Sequence, residues 1–287
     1  MRGERWFFCP PREGDTPLNR NALRSILFCV LALAGLVWST TLTGQEPGNV
    51  PETKAPAATQ SAPAPPAASV TLSATTWDPK LDWPWLGKFR AADADLPAPV
   101  AGEGRVVFTG DSITQGWRIE GPGSYFPGKP YINRGISGQT TPQMLVRFRQ
   151  DVIALQPKVV VILAGINDIA GNTGPETLEQ IEDNLSSMAE LAAANRIQVV
   201  MCSVMPAFDF PWRPGLAPAA KVLSLNKWIK AYAAEKGHVY VDYHTPMKDE
   251  RDGLPANLSH DGVHPTAAGY AVMAPLVEAG IEKALAK

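Results

Sequence analysis

After residue 100, five short apolar runs alternate with four longer amphipathic stretches. The runs 105–109, 131–134, 158–164, 197–203 and 238–242 are rich in β-branched residues and bounded by turn formers, which predicts β-strands. Val159-Val160-Val161-Ile162-Leu163 has no polar position at all, the pattern of a strand covered on both faces. Segments 141–155, 176–195, 218–236 and 266–285 place apolar residues at helical spacing, which predicts amphipathic helices. Strands that alternate with helices imply right-handed βαβ units and a parallel sheet with helices on both sides. The expected fold class is therefore α/β, a three-layer α/β/α sandwich. No internal repeat is present.

The chain before that region reads differently. Residues 1–25 are polar and basic, Ile26–Trp38 is apolar, and no charge occurs between Arg24 and Glu46. The apolar run is shorter than the roughly 18 residues a spanning helix wants, which suits the core of a signal peptide. Thr40-Thr41-Leu42-Thr43-Gly44 offers small residues but no Ala-x-Ala site, so an uncleaved N-terminal anchor is the alternative. Cys29, preceded by Phe28 and inside the run, is a poor lipidation site. Residues 46–69 hold six prolines and seven alanines and almost no large apolar residue. Such a segment cannot bury a core and reads as an extended linker. The expected division is 1–45 export segment or anchor, 46–69 linker, 70–287 catalytic domain. The expected location is the periplasm or the extracellular space, with membrane contact only if the first segment is retained. Trp77, Trp83, Trp85 and Phe89 are expected to pack on the domain.

Composition narrows the function. Of 287 residues 45% are hydrophobic and 19% charged, which is globular rather than disordered. Net charge is −2, so nothing invites nucleic acid. Of the cysteines Cys9, Cys29 and Cys202, only the last lies in the domain, so no disulfide forms within it. No Cys/His spacing resembles a zinc site, and no metal is expected.

The candidate chemistry lies in two distant motifs. Gly110-Asp111-Ser112-Ile113-Thr114 puts a serine just past a strand, and Asp261-Gly262-Val263-His264 puts a carboxylate three residues before an imidazole. A serine hydroxyl needs a base to become a nucleophile, and an imidazole serves best when a carboxylate fixes its tautomer. In open parallel sheets, sites form at the carboxyl ends of the strands. Ser112 follows the first strand, Gly135-Ile136-Ser137-Gly138 the second and Gly165-Ile166-Asn167-Asp168 the third, while Asp261 and His264 precede the last helix. These segments are expected to meet at one sheet edge. No Gly-x-Ser-x-Gly elbow is present, which separates the chain from the α/β-hydrolase pattern.

With these four blocks in order, the region of about 100–280 resembles the SGNH hydrolases, the GDSL esterase/lipase family. The resemblance implies a flavodoxin-like five-stranded parallel sheet. It implies Ser112 as nucleophile, His264 as general base and Asp261 as its orienting partner. The backbone N–H groups of Ser112 and Gly138, with the Asn167 side-chain amide, would form the oxyanion hole. No cofactor is implied. Expected substrate-wall residues are Trp117, five residues after the serine, and Phe208 and Trp212 on the aromatic loop 205–215. His260 is expected at the surface, His238 and His244 in structural roles. The expected activity is hydrolysis of carboxylic esters through an acyl-enzyme, favouring short acyl groups such as acetyl on carbohydrate or similar small molecules. A lysophospholipase or thioesterase of the same fold is the alternative enzyme. A silent carbohydrate-binding domain is the alternative of another class.

Overall fold

The computed structural model describes residues 78–287. The expected export segment, the linker and Trp77 lie outside the described residues. Five strands, β1 (Val106–Gly110), β2 (Tyr131–Gly135), β3 (Val159–Leu163), β4 (Gln198–Cys202) and β5 (Val239–Val241), form one parallel sheet in the order β2-β1-β3-β4-β5. This is the flavodoxin-like order, whose direction reverses between β1 and β3.

The apolar runs divide residue by residue between two cores. In β3, Val160 and Ile162 join one cluster, while Val159, Val161 and Leu163 join the other. The first core is covered by helices α3 (Thr141–Asp151), α5 (Leu178–Ala194) and α6 (Ala219–Lys236). The second is covered by α8 (Ala267–Leu285) and by an aromatic cluster of Phe108, Trp117, Phe126 and Tyr131. Three of the four long helices, α3, α5 and α8, start at a threonine cap. At α5, Thr177 Oγ1 accepts from Gln180 N at 3.3 Å and Gln180 Oε1 accepts from Thr177 N at 2.9 Å, a capping box.

Four short helices complete the domain: α1 (Arg90–Asp95), α2 (Ser112–Gly116), α4 (Ile166–Ile169) and α7 (His244–Met247). Of these, α2 and α4 leave the C-terminal ends of β1 and β3, the two strands at the topological switch.

The lead-in segment docks differently from expectation. Trp83 stays exposed, and Trp85 and Phe89 are only half-buried. Polar bonds add to that partial packing. Gln139, Gln143 and Gln150 donate side-chain N–H groups to the carbonyls of Pro84, Trp83 and Leu86, each within 2.8 Å. Lys88 and Arg134 cover the rings of Trp85 and Phe89.

Candidate active site

The site begins with the turn that ends β1. Asp111 caps α2, its Oδ1 accepting from Ile113 N at 2.9 Å, so Ser112 becomes the first helical residue. Gly135, at the end of β2, lies flat against this turn; a Cβ there would collide with the backbone nitrogen of Gln115. Only glycine permits that approach. Beyond it, Gly138 turns at φ +76°, a left-handed conformation that favours glycine.

The expected triad is assembled. Ser112 Oγ lies 2.9 Å from His264 Nε2, and His264 Nδ1 lies 2.6 Å from Asp261 Oδ2. The other Asp261 oxygen accepts from the backbone N–H groups of His264 at 2.8 Å and Val263 at 2.9 Å. Partial burial raises the Asp261 carboxyl, but bonds from the His264 backbone and ring and from Val263, with the charge of His264, bring it down to about 2. It is therefore an anion throughout the working range. Ser259, absent from the sequence reading, holds this loop together. Its buried hydroxyl accepts from Gly262 N at 3.0 Å and lies 2.8 Å from the acceptor His264 O and 3.1 Å from the acceptor Asp261 Oδ1.

Beneath the serine, burial pushes the Asp111 carboxyl up to about 6, against the Ile113 N–H bond and the nearby charge of His264. Behind α4, burial raises Asp168 to about 7. The Thr141 N–H and hydroxyl, 2.8 and 2.5 Å from its Oδ1, pull it down, while the Glu176 carboxyl pushes it up.

Three hydrogen-bond donors from three strand ends remain unused. Among the described residues, neither Ser112 N–H nor Gly138 N–H has an acceptor. Asn167 Nδ2 donates one hydrogen to Gln139 O at 3.0 Å, and its second has no partner. Free donors of this kind are what a developing oxyanion requires.

The expected wall residues separate. Trp212 is at the site, 42% exposed, stacked on buried Phe210 at 5.1 Å and 6.1 Å from the His264 ring. Its loop is braced: Asp209 accepts from Phe210 N and Gly215 N at 2.9 Å, and Arg213 Nη1 donates to Ala170 O at 2.7 Å. Trp117 is a correction. Helix α2 stops at Gly116 and the chain turns inward, so Trp117 is only 2% exposed, stacked on Tyr270 and edge-on to Phe108. A large indole gains more in that core than at a wet rim. Phe208 is exposed, but its ring carries the Arg251 guanidinium 4.6 Å from its centroid and has no ring contact with the triad.

His260 is exposed, His238 is half-buried, and His244 is buried after β5. Among the described residues, no group of three or more His, Cys, Asp or Glu side chains is placed to hold a metal ion. No described helix is long and apolar enough to cross a membrane.

A hydroxyl poised on an imidazole, the imidazole on a carboxylate and free donors at neighbouring strand ends are the arrangement that ester hydrolysis through a serine would use. The sequence model of the GDSL-like Lipase/Acylhydrolase family matches residues 108–272, and the chain belongs to that family. It is a carboxylic ester hydrolase. Among solved structures, a GDSL-like lipase of Bacteroides thetaiotaomicron shares 47% identity, with 69% of this chain and 98% of that one aligned and a TM-score of 0.67. A Bacteroides fragilis protein assigned as an acylhydrolase shares 45% identity over 71% of this chain and 99% of that one, with a TM-score of 0.69. An acetylxylan esterase of Geobacillus stearothermophilus is 27% identical over 197 residues, 59% of this chain and 90% of its own length.

Proposed function

We propose that this hydrolase removes small acyl groups, acetyl foremost, from the hydroxyls of a carbohydrate. The observation that carries the reading is the openness of the triad beside an aromatic platform. The His264 and Asp261 side chains are 41% and 37% exposed, and the ring of Trp212 stands next to them. A shallow site admits a bulky, hydrated alcohol, and an exposed indole stacks on the apolar face of a sugar. The likeness to an acetylxylan esterase supports the same reading.

In the reaction, Ser112 Oγ gives its proton to His264 Nε2 and attacks the ester carbonyl. The tetrahedral oxyanion accepts from Ser112 N–H, Gly138 N–H and Asn167 Nδ2. Asp261 holds the imidazole through Nδ1 and stabilises the imidazolium. His264 then protonates the sugar oxygen as the C–O bond breaks, leaving an acyl-Ser112 ester. Water, deprotonated by His264, releases the carboxylic acid and restores the serine.

The test compares rates on an acetylated xylo-oligosaccharide, p-nitrophenyl acetate, p-nitrophenyl palmitate and palmitoyl-lysophosphatidylcholine. Release of acetate from the oligosaccharide with little action on either palmitoyl ester supports the proposal. A preference for the palmitoyl substrates overturns it in favour of a lysophospholipase. Work outside the cytoplasm belongs to the same proposal, supported by the basic segment, apolar run and Pro/Ala tract of residues 1–69. Cell fractionation with intact-mass measurement tests it, and full-length protein in the cytoplasm would contradict it.

A further inference from the structure

Asn172 lies on the turn after α4, with its side chain exposed. Its Nδ2 donates to Asn167 Oδ1 at 2.9 Å and to Gly138 O at 3.2 Å. A primary amide has two N–H donors, so both bonds are made at once. Asn167 is thus held from both ends, since its own Nδ2 donates to Gln139 O. Turning the Asn167 amide over would set oxygen against oxygen at Gln139 and N–H against N–H at Asn172. Two mismatches, rather than one, keep its free hydrogen in a single direction.

The turn that carries Asn172 is itself fixed. Asn172 N donates to Asn167 O at 3.0 Å, and Gly171 N to Asp168 O at 2.8 Å. Thr173 Oγ1 lies 2.9 Å from Thr140 Oγ1, which anchors the far side of the turn to the start of α3. Gly171 turns at φ +70°, a left-handed conformation that favours glycine, with the Arg213 guanidinium beside it.

We propose that Asn172 is a positioning residue of the oxyanion hole, one amide nitrogen aligning the Asn167 side chain and pinning the carbonyl of Gly138, the residue whose N–H is the neighbouring donor. The inference rests on the reading of Asn167 and Gly138 as oxyanion donors. Asn172 touches neither nucleophile nor base, and acts through the two donors. Because its side chain is exposed, its removal should leave the fold intact.

The test is a kinetic cycle on p-nitrophenyl acetate with Asn172→Ala, Asn167→Ala and the double variant, each checked for an unchanged melting curve. Asn172→Ala is expected to lower kcat roughly tenfold with KM within roughly twofold, the signature of misplaced transition-state contacts. Asn167→Ala is expected to lower kcat by about 10²–10³. Adding Asn172→Ala to it should lose clearly less than Asn172→Ala costs on its own, because one of the two groups it holds is gone and only the Gly138 contact remains. Asn172→Asp sets carboxylate oxygens against two other oxygens and should fall below Asn172→Ala. Wild-type kcat in both Asn172 variants overturns the inference, as does a double variant that loses the full product of the single effects. An Asn167→Ala enzyme of normal kcat removes the donor reading on which the inference stands.

Discussion

Replacing Arg147 by Met tests whether one buried cation holds the two backbone arms of the site. Arg147, in the middle of α3, has no exposed surface. Its guanidinium donates to Asp151 Oδ2 at 3.1 Å, Gln139 Oε1 at 2.6 Å and Gly110 O at 3.1 Å. Gly110 leads into the Asp111–Ser112 turn, and Gln139 follows Gly138, so the two segments share one anchor. Met keeps the unbranched stem and removes every donor. Asp151, also fully buried, then loses its cation. Burial already pushes that carboxyl up; Arg147 opposes it most, with a smaller pull from the Gln150 amide. Breaking one side of a buried pair costs about 3–5 kcal/mol. Gln139 Oε1 loses its donor as well, which favours the upper end, while Gly110 O keeps the Ile136 N–H at 3.0 Å. At about 2–4 °C per kcal/mol for a domain of this size, the melting temperature falls by about 6–20 °C. The sign of the pH effect follows from Asp151. In the variant its folded form keeps a proton that the unfolded chain, titrating near about pH 4, has released, so stability drops as pH rises above that value. Melts followed by circular dichroism at about pH 5 and pH 8 should therefore show the larger loss at the higher pH. Arg147→Met with Asp151→Asn removes the stranded charge and should recover most of the loss. A single variant melting within about 2 °C of the parent at both pH values would refute the reasoning.

Asp168→Asn should flatten a pH dependence of stability. With Asp168 raised to about 7, the folded protein holds a proton that the unfolded chain has lost above about pH 4, so the parent loses stability as pH rises through that window. The amide oxygen keeps the Thr141 bonds without the charge, and denaturation across that range with the parental slope would contradict the assignment. Trp212→Ala should raise KM for an acetylated xylo-oligosaccharide by about 2- to 12-fold, the worth of one stacking contact, while KM for p-nitrophenyl acetate stays within about twofold. Equal changes on both substrates would take Trp212 out of sugar binding. Trp117→Ala should instead destabilise the fold by about 3–5 kcal/mol in denaturant unfolding, as a core residue does, and a loss below about 1 kcal/mol would return it to the surface.

The long elements and the triad were legible because each carries a physical signature in local sequence. A parallel strand covered on both faces must be a continuous apolar run, and β3, β4 and β5 fall within the expected segments while β1 and β2 run one residue further, to Gly110 and Gly135. The helices α3, α5, α6 and α8 are long enough to show a period, although α3 stops at Asp151, ahead of a separate 3₁₀ turn over Ile153–Leu155. The four short helices span barely one turn, too few residues for a period, and tertiary contacts rather than propensity create them. Trp117 was misplaced for that reason: without the end of α2, its distance from Ser112 says nothing about direction. Arg147 looks like any polar helix position, and only the packed structure reveals a cation with no exposed surface. Asn172 and Ser259 sit in polar loops where nothing local separates a site residue from a turn former. Their partners are set by how the turns close.

Labelling with a fluorophosphonate probe, followed by peptide mapping, bears most directly on Ser112 as an activated nucleophile. The geometry predicts a single adduct on Ser112, lost in Ser112→Ala and slowed in His264→Ala, where the base 2.9 Å from the hydroxyl is gone. Folded protein that takes no label, or a label that survives Ser112→Ala, would contradict it.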